Sequence, residues 1–147
     1  MSLRHRNILI GAACVAVLAG GLLYEAVATR PVRRAVRAYF ELISIANRPD
    51  LDDESRARAA RPFFSDRLLA DHPIQAAPEG GLVGLPRSIS KNFQAWRQEG
   101  DVWICPTNRV GFVYRMTEDA DGRWRYDGLV GLLQSRNVLV PISEAVE

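Results

Sequence analysis

The side chains best suited to acid–base chemistry lie in the second half of the chain: Asp101, Asp127, Tyr114 and Tyr126. A carboxylate base needs burial to raise its pKa and a neighbouring donor to stabilise the oxyanion that forms. Tyr126 and Asp127 are adjacent on a predicted strand, so their side chains point to opposite faces. Arg123 and Arg125 share the face of Asp127, and an arginine there keeps a carboxylate ionised. The sequence therefore predicts no catalytic residue.

Metal-binding and nucleophilic chemistry are poorly represented in the sequence. Beyond residue 30 the chain has one histidine, His72, and one cysteine, Cys105, whereas a zinc site needs three or four ligands. Cys105 lies in the apolar segment VWIC, which is typical of a buried and inert thiol. The glycine-rich stretch at residues 80–84 lacks the Lys and Ser/Thr of a phosphate loop. We expect no metal and no cofactor.

The composition is that of a globular domain, because 48% of the 147 residues are hydrophobic and 24% are charged. The formal net charge is +2, from 19 basic and 17 acidic side chains. Three of the basic residues and one acidic residue lie in the first thirty positions, so residues 31–147 are neutral. A neutral domain gives no electrostatic argument for nucleic acid as a partner.

The first thirty residues contain an uncharged apolar run, NILIGAACVAVLAGGLLY, at residues 7–24. As a helix it would span roughly 27 Å, which is close to the thickness of a bilayer core. We predict a single-pass membrane anchor over residues 1–30 that contacts lipid through residues 8–24. The alternatives are a signal peptide cleaved after Ala28, which ends a small-residue AVA motif, and a buried soluble helix.

The basic residues on the two sides of the apolar run argue for opposite orientations. Two arginines, Arg4 and Arg6, precede the run. Four arginines follow it within thirteen residues: Arg30, Arg33, Arg34 and Arg37. The count of positive charges favours a cytoplasmic domain, whereas a short basic N-terminus usually stays inside. We predict attachment to the cytoplasmic membrane with the domain on the extracytoplasmic side.

The order of predicted elements is helices first and strands second. A helix with Thr29 as its cap and Pro31 in its first turn presents one apolar side: Val32, Val36, Tyr39, Phe40 and Ile43. A second helix is capped by Asp50 or Asp52 and ends at Pro62, and a short helical piece follows near residues 63–73. After a glycine-rich loop, strands are predicted in SISKNFQAWRQ, VWIC, RVGFVYRMTE and RWRYDGLVGLL, with VLVPI as an edge piece. This order predicts an α+β fold with two to three helices packed on a curved antiparallel sheet.

The segments AVRAYFELISIAN, AARPFFSDRLLADH and VYRMTEDADGRWRYDGLVGLL give residues 32–133 a resemblance to the nuclear transport factor 2-like superfamily. This superfamily includes ketosteroid isomerases and SnoaL-like cyclases. The resemblance implies a cone-like α+β domain over residues 31–147. It also implies that acid–base groups, where present, face into the cone.

Aromatic side chains are the strongest candidates for ligand contact in such a fold. Trp124, Tyr126, Val130 and Leu132 are predicted to share one face of the last strand, and Phe112, Tyr114 and Met116 one face of the preceding strand. These faces equally suit an ordinary core. The candidate ligand-binding residues are Trp96, Trp103, Tyr114, Trp124, Tyr126 and Asp127. The polar residues left for partner contact are Lys91, Asn92, Arg97, Asn108 and Arg109.

Two classes of function follow from the sequence. The first is a membrane-anchored, non-catalytic binding or assembly module, with a protein partner or a homodimer formed through the sheet. The second is a small-molecule enzyme or carrier of the isomerase or cyclase type, which would need an enclosed pocket with a buried titratable group. A filled cone favours the first class, and a wide cavity around Asp127, Asp101 or His72 favours the second.

Overall fold

A computed structural model of the chain describes residues 3–107, 110–134 and 138–141, with side chains from residue 17 onward except at positions 22 and 138. Asn108 and Arg109, which the sequence assigns to partner contact, lie outside these ranges. The chain divides into two compact units, Met1–Pro31 and Val32–Glu147. Each unit is described separately.

The first unit is helical. Its residues belong to helix α1, Leu3–Ala46, which contains Pro31. Thr29 does not cap a new helix, because its hydroxyl donates to the carbonyl of Glu25 at 2.9 Å. Large apolar side chains in this unit are exposed: Val17, Leu18, Leu23, Tyr24 and Val27. Within the part of the chain that the structure describes, no helix combines the length and apolarity needed to cross a membrane.

In the second unit, α1 buries the predicted apolar side with one exception: Tyr39 and Ile43 are buried and Val32 and Val36 pack against the core, but Phe40 is not buried. The side chains that are almost fully buried are Ala35, Tyr39, Leu42 and Ala46, which recur at intervals of four, three and four residues. Ile43 is buried as expected, but Phe40 is 40% exposed. The Phe40 ring contacts the edge of Phe93 at a centroid distance of 5.3 Å. Phe40 therefore lies at the margin of the buried face, whose centre is formed by Ala35, Tyr39, Leu42 and Ala46.

Two short helices follow, and each is capped by a side chain. Helix α2, Asp53–Ala60, begins after Asp52, whose carboxylate accepts from the backbone N–H of Ser55 at 2.7 Å. A 3-10 turn at Arg61–Phe63 contains the proline that ends α2. Helix α3, Asp66–Asp71, begins after Ser65, whose hydroxyl accepts from the N–H of Leu68 at 3.1 Å. Each N-terminus thus has a partner for one of its free backbone donors.

The sheet has five antiparallel strands in the order β1-β2-β3-β4-β5. The strands are β1 Gln94–Gln98, β2 Asp101–Cys105, β3 Gly111–Glu118, β4 Trp124–Gln134 and β5 Val138–Pro141. Consecutive strands are neighbours because short turns join them. The prediction of an α+β fold with helices packed on an antiparallel sheet is confirmed. The first predicted strand was too long, since pairing begins only at Gln94.

Turn chemistry sets the register at two places. Glu99 and Gly100 join β1 to β2 with φ values of 53° and 95°, and two positive φ angles are what a type I′ hairpin turn requires. Between β3 and β4, the Asp119 carboxylate accepts from the backbone N–H groups of Asp121 and Arg123, and Gly122 has a φ of 71°. Both turns occupy the positions that the sequence predicts.

The helix-covered face of the sheet is filled by side chains. Three tyrosines, Tyr39, Tyr114 and Tyr126, form a triangle with centroid distances of 6.0, 6.4 and 6.0 Å. Met116 and Leu42 are buried beside them. Burial raises the pKa of all three phenols, and mutual repulsion adds to the effect at Tyr39 and Tyr126. The tyrosine triangle and its neighbours fill this part of the core face.

Strands β3 and β4 change register twice, between Val113 and Tyr114 and between Tyr114 and Met116. Such irregularities bend a strand and strengthen its twist. The prediction that Val130 shares the face of Tyr126 is therefore wrong. Val130 packs instead against a second apolar cluster on the opposite face, which has Cys105, Val113 and Leu133 at its centre.

The exposure of Phe40 gives a direct test. Phe40→Ala should reduce the free energy of unfolding by about 1–2 kcal/mol, because the ring is partly exposed and has one edge contact with Phe93. Leu42→Ala should cost about 2–5 kcal/mol, because Leu42 is fully buried. Urea unfolding of the two variants checks this order. A Phe40→Ala loss as large as that of Leu42→Ala would place Phe40 in the core and contradict the arrangement.

Candidate functional site

Asp127 is the centre of a charged cluster that joins three elements. Its side chain is only 6% exposed and contacts the guanidinium groups of Arg67 on α3, at 2.6 Å, and Arg115 on β3, at 2.8 Å. The Ser65 hydroxyl donates to the same carboxylate, and Arg67 also donates to it through Nε at 3.2 Å. Both carboxylate oxygens are therefore occupied. We call Ser65, Arg67, Arg115 and Asp127 the Asp127 cluster.

Backbone pairing brings this cluster together. The first residues of β4 do not pair with β5, which begins its pairing at Gly131. There Tyr126 forms a parallel bridge with Phe64, which lies just before α3. The N–H of Ser65 donates to the Tyr126 carbonyl at 2.9 Å. This contact places the Ser65 cap of α3 beside Asp127. One hydroxyl thereby accepts from the helix N-terminus and donates to the buried carboxylate.

The electrostatics of the cluster oppose a catalytic role for Asp127. Burial disfavours its ionised form, but hydrogen bonds from Arg67 and Ser65 and the positive charges of Arg115 and Arg67 outweigh that effect. The pKa of Asp127 is held below its ordinary value. A general base working near neutral pH needs the opposite shift. Asp127 is therefore suited to a fixed negative charge.

The arginines that neutralise Asp127 are not the predicted ones. Arg125 pairs with Asp119 at 2.8 Å, and the ion pairs of Asp127 are with Arg67 and Arg115. Arg115 comes to Asp127 across the irregular part of the β3–β4 ladder. The prediction that arginines pair with Asp127 named the wrong arginines. The alternation of side chains along one strand does not show which side chains of a neighbouring strand or helix lie beside it.

A cleft of about 480 Å³ opens beside the Asp127 cluster. Its apolar wall includes Phe64, Leu68, Ile74, Val83 and Leu129. The formal charges of the lining cancel, since Arg67 and Arg115 are balanced by Asp71 and Asp127. His72 is exposed at the cleft as the residue that ends α3. The Tyr126 hydroxyl does not face a substrate position, because it donates to the Gly84 carbonyl at 3.0 Å.

The open face of the sheet carries a groove of about 870 Å³. Its lining comes from four strands and the residue before β1: Phe93, Gln94, Ala95, Trp96, Gln98, Trp103, Leu133 and Leu139. None of these residues is charged. Trp96 and Trp103 face each other across β1 and β2 with ring centroids 6.2 Å apart. The buried residues Cys105, Val113 and Leu133 form an apolar base next to the tryptophans. We call this feature the tryptophan groove.

The six predicted ligand-binding residues are spread over separate places. Tyr126 and Asp127 line the cleft, whereas Trp96 and Trp103 line the tryptophan groove. Tyr114 and Trp124 are buried in the core, although Trp124 also touches a small basic depression with Arg34, Arg37 and Arg123. Asp101 contacts the Asp127 cluster only at its margin, through an ion pair with Arg115 at 3.9 Å.

Sequence reasoning missed Ser65, Arg67 and Arg115. The signal for Ser65 was present, because a serine directly before an acidic residue in FFSDRLL is a typical helix cap. No comparable signal marks Arg67 and Arg115, because the chain has many arginines and nothing in the sequence sets these two apart. In the residues that the structure describes, no group of three metal-ligating side chains is close enough to hold an ion.

Comparison with known proteins gives no relative: no protein-family model, curated protein or solved structure matches this chain.

The Asp127 cluster predicts a pH-dependent loss of stability. Asp127→Asn should reduce the free energy of unfolding by about 1–3 kcal/mol at neutral pH, because it removes the charge that two guanidinium groups share. A carboxyl with a depressed folded pKa stabilises the protein above its unfolded value, about 3.9. That contribution is lost as the pH falls from there through the folded value. The variant and the natural protein should therefore converge in acid.

Denaturant unfolding over a pH series measures this convergence. Asp71→Asn is the matched control, because Asp71 is an exposed acid of the same cleft and should change stability by less than about 0.5 kcal/mol. A difference between Asp127→Asn and the natural protein that stays constant into strong acid would contradict an ionised Asp127.

Proposed function

We propose that the chain is a non-catalytic binding and assembly module, and that it binds an uncharged apolar segment of a partner protein in the tryptophan groove. The observation that carries the proposal is the lining of that groove. Eight of the residues that the structure describes contribute, two of them are tryptophans, and none of the eight is charged. The centres of protein interfaces are likewise enriched in aromatic residues and depleted of charge.

The packing of the groove also suits the binding of an apolar side chain from a partner. Trp96 and Trp103 are only partly buried, and their base of Cys105, Val113 and Leu133 is packed. A partner side chain would therefore displace water from aromatic surface without having to open the core. The Gln94 and Gln98 amides supply hydrogen-bond donors and acceptors at the margin. Such a site suits an apolar segment with polar backbone groups.

The state of the acid–base groups supports the non-catalytic part of the proposal. The Asp127 carboxylate is saturated by three side-chain donors and has a lowered pKa. The tyrosine triangle is packed into the core, and burial raises the pKa of each phenol away from neutrality. A phenol with a raised pKa is a weaker proton donor. These groups are suited to holding the fold together.

For the fold family, our proposal is a nuclear transport factor 2-like domain over residues 31–147. The support is the order of elements, with three helices before a five-stranded antiparallel meander, and the two register shifts that bend β3 and β4. Bends of this kind would give the sheet the curvature of a cone. In this proposal the packed core face is the feature that would separate this chain from the enzymes of the same superfamily.

A second candidate function is a small-molecule carrier that uses the cleft beside the Asp127 cluster. The observation in its favour is the cleft itself, whose volume of about 480 Å³ and mixed lining are in the range of ligand sites. Its lining is neutral overall, so the ligand would be a neutral or zwitterionic molecule with an apolar part. Binding in the cleft would leave the tryptophan groove free.

Photo-crosslinking tests the assembly function. A photoreactive amino acid in place of Gln98 should capture one recurrent partner in cells, whereas the same group at exposed Ala59 on α2 should not. The purified partner should then bind the natural chain and lose about 30-fold in affinity to Trp103→Ala, since a buried tryptophan hot spot contributes about 2 kcal/mol or more. Equal affinity for Trp103→Ala would exclude the groove as the binding site.

For placement, we propose that the first unit is a membrane anchor with the domain on the extracytoplasmic side. The support is the apolar run at residues 7–24 and the exposure of Val17, Leu18, Leu23 and Tyr24. Exposed side chains of this kind are costly in water and favourable in lipid. The described helices do not meet the criteria of a membrane span, so the placement depends on a direct measurement.

Mass spectrometry of fractionated cells provides that measurement. The chain should sediment with membranes and retain its N-terminal segment, and Leu18→Arg with Leu23→Arg should release it, because each charge at bilayer depth costs about 2.5–3.5 kcal/mol. A mature N-terminus at Thr29 in the soluble fraction would exclude an anchor and indicate cleavage after Ala28.

A further inference from the structure

Strand β1 has an open outer edge. Its only strand partner among the described residues is β2, which it pairs with from Gln94 to Gln98. No backbone hydrogen bond from the described loops reaches β1 on its other side. The strand contains no proline and only one charged residue, Arg97. It therefore lacks most of the features by which natural edge strands avoid pairing with another chain.

The hairpin turn determines which backbone groups of β1 point outward. The residues that flank a two-residue type I′ turn form a hydrogen-bonded pair, so Gln98 exchanges bonds with Asp101. Pairs alternate along an antiparallel ladder. Trp96 and Gln94 therefore also direct their backbone groups toward β2. The N–H and C=O groups of Ala95 and Arg97 point away from the sheet.

We propose that two copies of this chain pair through β1 in antiparallel orientation, about a two-fold axis that passes beside Trp96. Trp96 then lies opposite its counterpart in the second copy, and Gln94 lies opposite Gln98. The outward groups of Ala95 bond to those of Arg97 in the other copy. The two sheets become one sheet of ten strands, with both tryptophan grooves on the same face.

The register follows from the strand itself. Trp96 is the middle residue of β1, so an axis there pairs all five residues of both copies. Moving the axis to Arg97 would leave Gln94 unpaired and set two guanidinium groups opposite each other, which is destabilising. In the register centred on Trp96, each Arg97 is opposite Ala95 and no like charges face. The cross-strand tryptophan pair adds an aromatic contact of a kind that stabilises sheets.

We infer a second copy as the occupant, because antiparallel pairing about Trp96 matches all five residues of β1 and sets each Arg97 opposite Ala95, away from the other Arg97. This inference extends the proposed assembly function to the edge of the sheet, and it does not depend on the tryptophan groove holding a partner. Pairing across the axis would place two tryptophan grooves side by side. A dimer would then offer a partner two adjacent copies of one apolar site.

Disulfide trapping tests both the dimer and its register. The full chain is used in detergent micelles with Cys14→Ala and Cys105→Ala as background. One preparation carries Gln94→Cys and another carries Gln98→Cys. In the proposed register these positions form a non-hydrogen-bonded pair with Cα atoms about 4.5 Å apart, within the range that a disulfide bridges. The mixture should cross-link on mild oxidation, and each preparation alone should not.

Control mixtures make the result specific. Ala59→Cys mixed with Ala70→Cys should not cross-link, because both positions are exposed on α2 and α3, away from β1. Absence of a cross-link in the Gln94→Cys and Gln98→Cys mixture would overturn the proposal. Equal cross-linking of each single preparation would also overturn it, because it would indicate random collision or another register.

A proline substitution separates edge pairing from damage to the fold. Arg97→Pro removes an outward N–H and no bond to β2, so β1 and β2 should remain paired. Introduced into both cysteine preparations, it should abolish the cross-link, whereas Arg97→Gln should preserve it. Circular dichroism checks that both variants are folded. A cross-link that survives Arg97→Pro in the folded chain would overturn the proposal.

Trp103→Ala distinguishes this inference from the groove function. Trp103 lies on β2 and takes no part in edge pairing. The variant should therefore keep the cross-link at its full yield, even though it is expected to lose the partner protein. Loss of the cross-link in a folded Trp103→Ala chain would show that the two copies associate through the groove and not through β1, and would overturn edge pairing.

Discussion

A single buried carboxylate, that of Asp127, holds the Asp127 cluster together. Asp127 is almost fully removed from water, and an isolated ion in that position would be very unfavourable. The two arginines and the serine that surround it come from α3, β3 and the residue before α3. The requirement that Asp127 be paired therefore fixes α3 against the sheet. The position of the cleft and the path of the chain through residues 72–84 follow from that attachment.

The two faces of the sheet have different physical roles. One face is covered by α1 and packed with large side chains, so it contributes stability. The opposite face is only partly buried over its apolar cluster, and its tryptophans remain accessible. The cleft beside Asp127 is lined by residues of α3, whereas no described helix contributes to the lining of the tryptophan groove. The accessible tryptophans are the main physical reason for proposing an assembly function.

Local chemistry made much of the fold predictable, and long-range register did not. Asp50 or Asp52 was expected as a cap because a capping side chain acts within one helical turn, and the structure shows Asp52. The DADG turn was expected for the same kind of reason. Phe40 is 40% exposed although its spacing placed it on the apolar side, because helical periodicity does not specify where the buried face of α1 ends. The pairing of Asp127 with Arg67 and Arg115 depended on a bulged ladder and on a bridge sixty residues away in sequence. Such contacts have no signature in a single sequence.

Because of the tyrosine triangle, the folded protein retains phenol protons at a pH where the unfolded chain loses them. An unfolded phenol ionises near pH 10, whereas burial raises the pKa of Tyr39, Tyr114 and Tyr126 above that value. Above pH 10 the unfolded chain binds fewer protons than the folded one, so alkali shifts the equilibrium toward unfolding. Because the three rings share one core, they would give up their protons together. Alkaline denaturation would then be a cooperative, coupled deprotonation and not a gradual titration of separate groups.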